Sequence, residues 1–482
     1  MKAFVKILAL LVGGSLFAAG LGGYYEVQTR LAEDGTWQLF EPVHRFELRL
    51  HSSPWENTEA FAKVFAELSR NQDNDPERPL REYTFIEGHL RYRWPKHIEL
   101  HAFSRQNRFW FPQGLFELVN SDRLSDGGNS QGIRADFWGI GTLSGVLLYS
   151  DMSASGGDDA LAGRLYAPFF DDRLRLSSVA ARKDWGASTS DYNSVLSANI
   201  GASVGRFADF LRPLGNIDIE GQVAVSRIPD EPKDAENIAW SAEFRQLRVG
   251  GLELQGGYRD WGADFRSYLS NQFDYDQSFN EKGFYGRAVY FFPEKAINLY
   301  GGYSETRAPQ NRSARISVNN PERTAQEAFG EVYIEWVNDI KSKVRYKHYR
   351  GWDANYREIR DYPELLGEVS VESRIAKVKA QVRVKDFGTD FQIIATGLEF
   401  NANLTHDLKF YARAVNAAEK SESRQTIFAQ LRYERFQPAE IFLEFGNPGD
   451  TDNDLTMDDD FVNVGASHGV AKQVALFVKV FF

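Results

Sequence analysis

The feature that most constrains this chain is a period-two alternation that returns from one end of it to the other. In residues 472–482 (KQVALFVKVFF), Val474, Leu476, Val478, Val480 and Phe482 share one face, and Gln473, Ala475, Phe477, Lys479 and Phe481 the other. Such a period belongs to a β-strand, whose successive side chains point to opposite faces. Similar runs begin near residue 22, among them 45–51, 85–94, 98–105, 217–226, 252–259, 283–292, 326–336, 340–350, 366–374, 378–385, 408–416, 427–435 and 440–445. Turn chemistry separates them, and no domain-sized change of composition interrupts them. Counting the runs gives about 24 to 26 strands at roughly 18 residues per strand and connection, a spacing suited to tilted strands that cross a membrane.

One face of the alternation is charged. Lys341, Lys343, Arg345 and Lys347 share a face in 340–350, as do Glu331, Tyr333 and Glu335 in 326–336. A turn at Val337-Asn338-Asp339 sets Glu335 opposite Lys341, Glu331 opposite Arg345 and, behind them, Val332 opposite Val344, so one register satisfies both faces. Around residues 95–97, Arg93 meets Glu99, Arg91 meets His101, and Tyr92 meets Leu100 on the reverse. Glu368, Ser370 and Glu372 face Lys377, Lys379 and Gln381, with Arg383 on the same side and a valine-rich face behind. Apolar outside and charged inside is the pattern of a closed sheet around water, since a soluble sandwich is apolar inside. The bland reading of these ladders is wall-building. Cross-strand pairs contribute roughly 0.2–1 kcal/mol each to register, and exposed ion pairs little more. That reading is preferred to specific solute contacts, and it makes the lumen hydrophilic, mixed in sign and weakly selective.

Bulk composition removes several classes of protein. The 482 residues include no cysteine, which excludes disulfides, iron–sulfur clusters and thiolate zinc sites. Mean hydropathy of −0.44 is too polar for a helical membrane protein, and no stretch of about 18 apolar residues exists to make a spanning helix. Residues 1–20 read as a secretory signal, with Lys2 and Lys6, an apolar run over 7–17 and small Ala18-Ala19-Gly20; cleavage is expected after Gly20. The barrel then occupies 21–482, with no room for an N-terminal plug or periplasmic domain. A net charge of −11 argues against a nucleic-acid partner.

The alternating last strand, aromatic at its C-terminus, resembles the closing strand of bacterial outer-membrane β-barrels. The whole chain resembles the large, plug-less members of that group, porins and the alginate-export type among them. The resemblance implies an all-β fold: a single large transmembrane antiparallel β-barrel with a water-filled lumen in the outer membrane of a Gram-negative cell. It implies outer-membrane lipids and lipopolysaccharide as surroundings, and Phe482 as part of the signal read by the barrel-insertion machinery. It also implies a porin-like channel through which small polar solutes pass passively. A second reading is an export conduit for an acidic polysaccharide, guided by Arg91, Arg93, Lys343, Arg345, Lys377, Lys379 and Arg383. Glu331, Glu335, Glu368 and Glu372 dilute that field. A third is a scaffold barrel with an occluded lumen.

Short and long connections alternate along the chain. A short turn at Gly469 before the last strand, with a periplasmic C-terminus, places the long connections on the periplasmic side, against the habit of such barrels. Residues 107–120 (NRFWFPQGLFELVN) are unusually apolar for a connection, and Phe109, Trp110 and Phe111 are candidates for a constriction or for an aromatic girdle. Residues 204–215 space Phe207, Phe210, Leu211 and Leu214 as a short amphipathic helix that Pro213 ends, packed against the rim. Trp94 and Trp336, beside turns, fit interface anchors.

Nothing in the sequence points to catalysis, and no cofactor is expected. G-x-S-x-G, H-E-x-x-H and phosphate-cradling glycine motifs are absent. His89 and His101 fall near Arg91 and Arg93, whose guanidinium groups argue against a bound cation. Asp450, Asp452 and Asp454 mimic the first positions of a calcium loop, but Leu455 stands where that loop needs glycine and Phe461 where it needs glutamate. A solvated acidic loop is the preferred reading over a loose divalent-cation site.

Overall fold

The computed structural model describes residues 20–31, 37–70, 79–94, 97–105, 114–124, 130–152, 158–185, 191–207, 209–229, 237–262, 264–270, 281–292, 296–307, 324–337, 339–353, 355, 357–389, 392–419, 422–435, 438–446 and 474–482. Twenty-four strands account for most of them. They are β1 (Gly20–Leu31), β2 (Trp37–Ser52), β3 (Thr58–Arg70), β4 (Pro79–Trp94), β5 (Ile98–Ser104), β6 (Gln131–Ile140), β7 (Leu143–Asp151) and β8 (Asp159–Phe169). Next come β9 (Leu174–Asp184), β10 (Tyr192–Ser203), β11 (Asp218–Arg227), β12 (Ile238–Val249), β13 (Leu252–Trp261), β14 (Glu281–Phe291), β15 (Ile297–Arg307) and β16 (Thr324–Val337). The last eight are β17 (Ile340–Trp352), β18 (Glu358–Glu372), β19 (Ala376–Lys385), β20 (Ile393–Asn403), β21 (Leu408–Glu419), β22 (Glu422–Tyr433), β23 (Ala439–Gly446) and β24 (Val474–Phe481).

Each strand pairs antiparallel with the next, and β1 pairs with β24, so the sheet closes without an edge. Closure is what allows a sheet to cross lipid, because every backbone donor and acceptor then finds a partner inside the wall. The expected ladders are present in the expected register. Glu335 faces Lys341, Glu331 faces Arg345 and Val332 faces Val344; Arg93 faces Glu99 and Tyr92 faces Leu100; Glu368 faces Gln381, Ser370 faces Lys379 and Glu372 faces Lys377.

The two faces of the wall differ as the alternation requires. Leu147, Leu161, Leu196, Val223, Phe284, Val344, Val382 and Leu398 point outward and are exposed, while their sequence neighbours Val146, Ala162, Val195, Gln222, Gln381 and Arg383 are buried on the other side. An apolar shell of this extent is a liability in water and a requirement in lipid. The chain is therefore a barrel of the bacterial outer membrane. Trp94 and Trp336 stand exposed at the short-turn end, where the Trp336 indole donates to Ser342 Oγ at 2.9 Å. This is the amphipathic posture of an interface anchor.

The seam joins the two ends of the chain. Tyr24 faces Phe481, and Leu31 faces Val474. The Gly23 amide donates to the Phe482 carbonyl at 3.0 Å, and the Phe482 amide donates back at 3.3 Å. The Phe482 ring stacks on Phe46 with centroids 5.6 Å apart. Deleting Phe482 removes two hydrogen bonds of roughly 0.5–1.5 kcal/mol each and one ring pair of similar worth. The variant is expected to lose its folded gel mobility at a lower temperature than the parent, whereas an unchanged transition would show that the seam residue contributes nothing.

Both described ends of the chain lie at the end carrying the short turns. The connections 53–57, 95–97, 141–142, 170–173 and 250–251 are there, while the long connections 105–130, 262–280, 308–323 and 447–473 are all at the other end. The expected conflict over sidedness thus disappears. β23 pairs directly with β24, and the expected turn at Gly469 lies outside the described residues. With short turns periplasmic, the long connections are extracellular.

Two local expectations are corrected. Residues 204–215 form two 3₁₀ turns, Val204–Arg206 and Asp209–Leu214, with Pro213 inside the second; the proline and the short span leave no room for an α-helix. They pack against the rim at β11 and β12, as expected. The run expected over 366–374 begins earlier, as strand from Glu358 onward. Pro363 sits opposite His348, and its carbonyl still accepts from the Phe387 amide at 3.2 Å.

A charged half-wall and an inserted wedge

The inner face of the barrel is built in two unlike arcs. From β14 through β24 and on to β4, many inward residues are long and ionised, and several carboxylates are each answered by more than one cation. Glu364 lies between Arg383 at 2.7 Å and Arg345 at 3.4 Å. Glu368 gathers Lys379 at 3.6 Å, Lys343 at 3.8 Å and the Gln381 amide at 3.3 Å. Glu59 meets Arg91 at 2.7 Å, His51 at 3.3 Å and His89 at 3.6 Å. Glu99 takes Arg93 at 2.8 Å and Arg91 at 3.8 Å. Glu47 takes Arg49 at 2.5 Å and Lys63 at 3.3 Å.

Of the residues singled out in the sequence, Arg91, Arg93, Glu99, Lys343, Arg345, Glu368, Lys379 and Arg383 therefore meet in ion pairs on this arc. Glu331, Glu335, Glu372 and Lys377 take their places in the same ladders. His89 and His101 come together edge to face, with ring centroids 4.9 Å apart. Among the described residues no three histidine, aspartate or glutamate side chains are grouped as metal ligands. Phe109, Trp110 and Phe111, and Asp450, Asp452 and Asp454, lie outside the described residues, as does the signal reading for 1–19.

From β5 to β13 many inward residues are short. Ala160, Ala162, Ala181, Ala224, Ala239, Ser150 and Ser197 leave space that longer side chains occupy elsewhere, and all are buried. Two extracellular connections fill the space. Residues 114–124 bring Phe116, Leu118, Val119 and Leu124, and residues 264–270 bring Phe265 and Leu269. These pack with Phe103, Val146, Leu148, Val179, Val195 and Trp261 into one apolar core inside the barrel. Because Val146, Leu148 and Val195 alternate with the lipid-facing Leu147, Tyr149 and Leu196, this core is on the lumen side.

Polar contacts tie the two connections to each other and to the wall. The Asn120 amide donates to the Leu269 carbonyl at 2.6 Å, and Ser267 Oγ donates to the Leu118 carbonyl at 2.6 Å. Ser270 Oγ donates to the Glu117 carbonyl at 3.0 Å. Asn193 on β10 clamps the second segment, donating to the Arg266 carbonyl at 3.2 Å and accepting from the Tyr268 amide at 3.1 Å. Ser150 on β7 donates to the Leu124 carbonyl at 2.8 Å, and Gln222 on β11 accepts from the Phe116 amide at 3.1 Å. These bonds satisfy loop backbone that would otherwise be buried unpaired.

The wedge goes deep. Leu124 contacts Ser150 at the extracellular end of β7, whereas Gly114 lies against Asn199 and Gln222, where a Cβ would collide with both side-chain amides. Asn199 is seven residues along β10 from its extracellular start at Tyr192, roughly 23 Å of strand. Below it charge returns to this arc, with Asn199 donating to Glu220 at 2.8 Å and Arg175 meeting Asp218 at 3.3 Å. Of residues 107–120, read as a constriction or a girdle, the described part 114–120 lies on the lumen side, while Phe109, Trp110 and Phe111 are outside the described residues. The partner segment 264–270 and the ion-pair centre Glu364 were not anticipated. A run of alanine and serine at inward positions of β7 to β12 was the available signal for the first.

No protein-family model and no curated protein matches the sequence. Among solved structures, the chain is similar to one in an E. coli P pilus tip assembly intermediate (PapC-PapD-PapK-PapG), at 10% identity and a TM-score of 0.58. That match covers 96% of this chain and 60% of the other. The P pilus usher (PapC) translocation pore aligns at 11% identity and a TM-score of 0.46, over 96% and 99% of the two chains. The siderophore receptor PirA of Pseudomonas aeruginosa aligns at 10% and 0.46, over 96% and 80%. At these identities the likeness is one of fold, that of a large outer-membrane barrel.

Proposed function

We propose that the barrel is a transport channel with its aqueous path along the charged half-wall, beside the wedge, and that small polar or charged solutes cross it passively. The observation that carries this reading is the contrast between the arcs. Ionised side chains line β14 to β4 in mixed-sign networks, and several of them, Arg49 and Arg93 among them, are well exposed. On the opposite arc an apolar core fills the space beside the wall where the wedge docks. No reacting group or ligand-holding cluster is invoked, and the reading is that of a conduit and not an enzyme.

The same networks weigh against a polysaccharide exporter, because Arg91, Arg93, Lys343, Arg345, Lys379 and Arg383 each have a carboxylate partner. An acidic chain would have to compete with those partners. The test is single-channel recording of refolded protein in a planar bilayer, with selectivity taken from reversal potentials. Open steps of weak selectivity are expected. Strong anion selectivity, blocked by an acidic oligosaccharide, would favour the export conduit. Absence of current from a folded barrel would contradict both and leave the occluded scaffold.

A further inference from the structure

We infer that the periplasmic mouth carries a binding site for a phosphate-bearing molecule, formed by Arg173, Arg206 and Arg248. These arginines line a cavity of about 500 Å³ together with Asp171, Gly205, Gly215 and Asn216. They arrive from three separate connections. Arg173 ends the turn between β8 and β9, Arg206 belongs to the first 3₁₀ turn after β10, and Arg248 sits beside the turn between β12 and β13. Three arginines lining one cavity suit a group with several anionic oxygens, such as a phosphate, since each guanidinium can donate in a planar fork.

The cavity is a built feature. The Ser203 amide donates to the Arg173 carbonyl at 2.8 Å, and the Val204 amide donates to the Ile217 carbonyl at 2.7 Å, so the ends of the 204–217 segment are fixed. Gly205 and Gly215 cross so closely that a Cβ on Gly205 would overlap the Gly215 carbonyl. Gly215 has φ of +87°, a conformation that favours glycine. Nearby charges are already spoken for. Asp218 is held by Arg175 and Ser203, and Asp172 accepts from Tyr166 at 3.3 Å. Glu253 pairs with Arg248 at 2.9 Å and leaves one of its terminal nitrogens unengaged by that contact. Three guanidinium groups against the single lining carboxylate of Asp171 stand out in a chain of net charge −11.

Phe170 and Phe207, paired at 6.4 Å, and the exposed Phe210 stand at the same end. Phosphate chemistry at this position has two sources, a periplasmic solute and the headgroup of an inner-leaflet phospholipid whose chains would lie against those rings.

The test uses the full barrel in zwitterionic detergent, titrated calorimetrically with inorganic pyrophosphate, and in parallel loaded with phosphatidylglycerol or phosphatidylcholine and examined by native mass spectrometry. The double variant Arg173→Gln/Arg206→Gln is compared with Arg360→Gln, at the opposite mouth. Pyrophosphate binding that falls about ten-fold or more in the double variant but not in the control would support the site with a soluble ligand. Selective retention of phosphatidylglycerol that is lost in the double variant would support it with a lipid. Binding to the double variant equal to that of the parent, or no binding of either probe to the parent, would overturn it. Retained heat-resistant gel mobility reports that the variant barrel is folded.

Discussion

Leu118→Asp is expected to widen the channel while leaving the barrel closed. Leu118 is 0% exposed, at the centre of the core that joins residues 114–124 and 264–270 to the inner wall. A carboxylate there would be buried among apolar side chains, so the docked wedge must either hold a charge in that cluster or release. Burial without compensation costs several kcal/mol, and about 3 kcal/mol shifts a docked-to-released ratio by roughly two powers of ten. The wall does not depend on Leu118, because its ladders are backbone bonds between consecutive strands. Single-channel conductance should therefore rise, with folded gel mobility retained. Replacing 114–124 by a glycine-serine linker should do the same without introducing charge. Unchanged conductance in both variants would mean that the wedge does not bound the aqueous path.

The second large effect is expected at Glu364. Its carboxylate is 4% exposed and bridges Arg345 and Arg383, the latter itself 8% exposed. Glu364→Gln removes the carboxylate that both guanidinium groups share in a poorly hydrated part of the wall. Breaking a buried pair in this way costs about 3–5 kcal/mol, so denaturant unfolding in lipid should shift to markedly lower urea. Reversal potentials should move toward anions, since one negative charge leaves the lumen. The pair replacement Glu364→Leu/Arg383→Leu removes both charges of the closest contact and should recover part of the lost stability. A stable, unshifted Glu364→Gln channel would show that the triad is hydrated and weakly coupled.

Much of the wall is legible in the sequence because each of its strands states a register twice. In 326–350 the pairing that sets Glu331 against Arg345 also sets Val332 against Val344, and a slip of one residue would spoil both faces. What is local to a hairpin can therefore be read. Glu364 escapes because it lies before the alternating run expected over 366–374, although Leu366, Glu368 and Ser370 continue its face down the same strand. The wedge escapes for a different reason. Its partners are far apart in sequence, with Ser267 bonded to Leu118 and Asn193 to Arg266, and no period relates a loop to the wall it covers. Only the unusual shortness of Ala160, Ala162, Ala181, Ala224 and Ala239 hints that something must fill the space beside them. Sidedness, too, waits on one connection. With β23 paired directly to β24, both described ends of the chain fall at the mouth that carries most of the short turns.

The chain contains no cysteine, which permits a direct map of where water runs. Single cysteines at Arg49, Arg93 and Lys343 on the charged arc, and at Ala162 and Ala239 behind the wedge, would be exposed to a charged, membrane-impermeant thiol reagent during single-channel recording. Side chains at the first three sites retain 54%, 60% and 28% exposure, whereas Ala162 and Ala239 retain 1% and 0%. Rapid modification with a stepwise fall in current is predicted at Arg49, Arg93 and Lys343, with Ala162 and Ala239 inert until the protein is unfolded. Current block from Ala162 or Ala239, with the charged arc silent, would contradict a path along the charged half-wall.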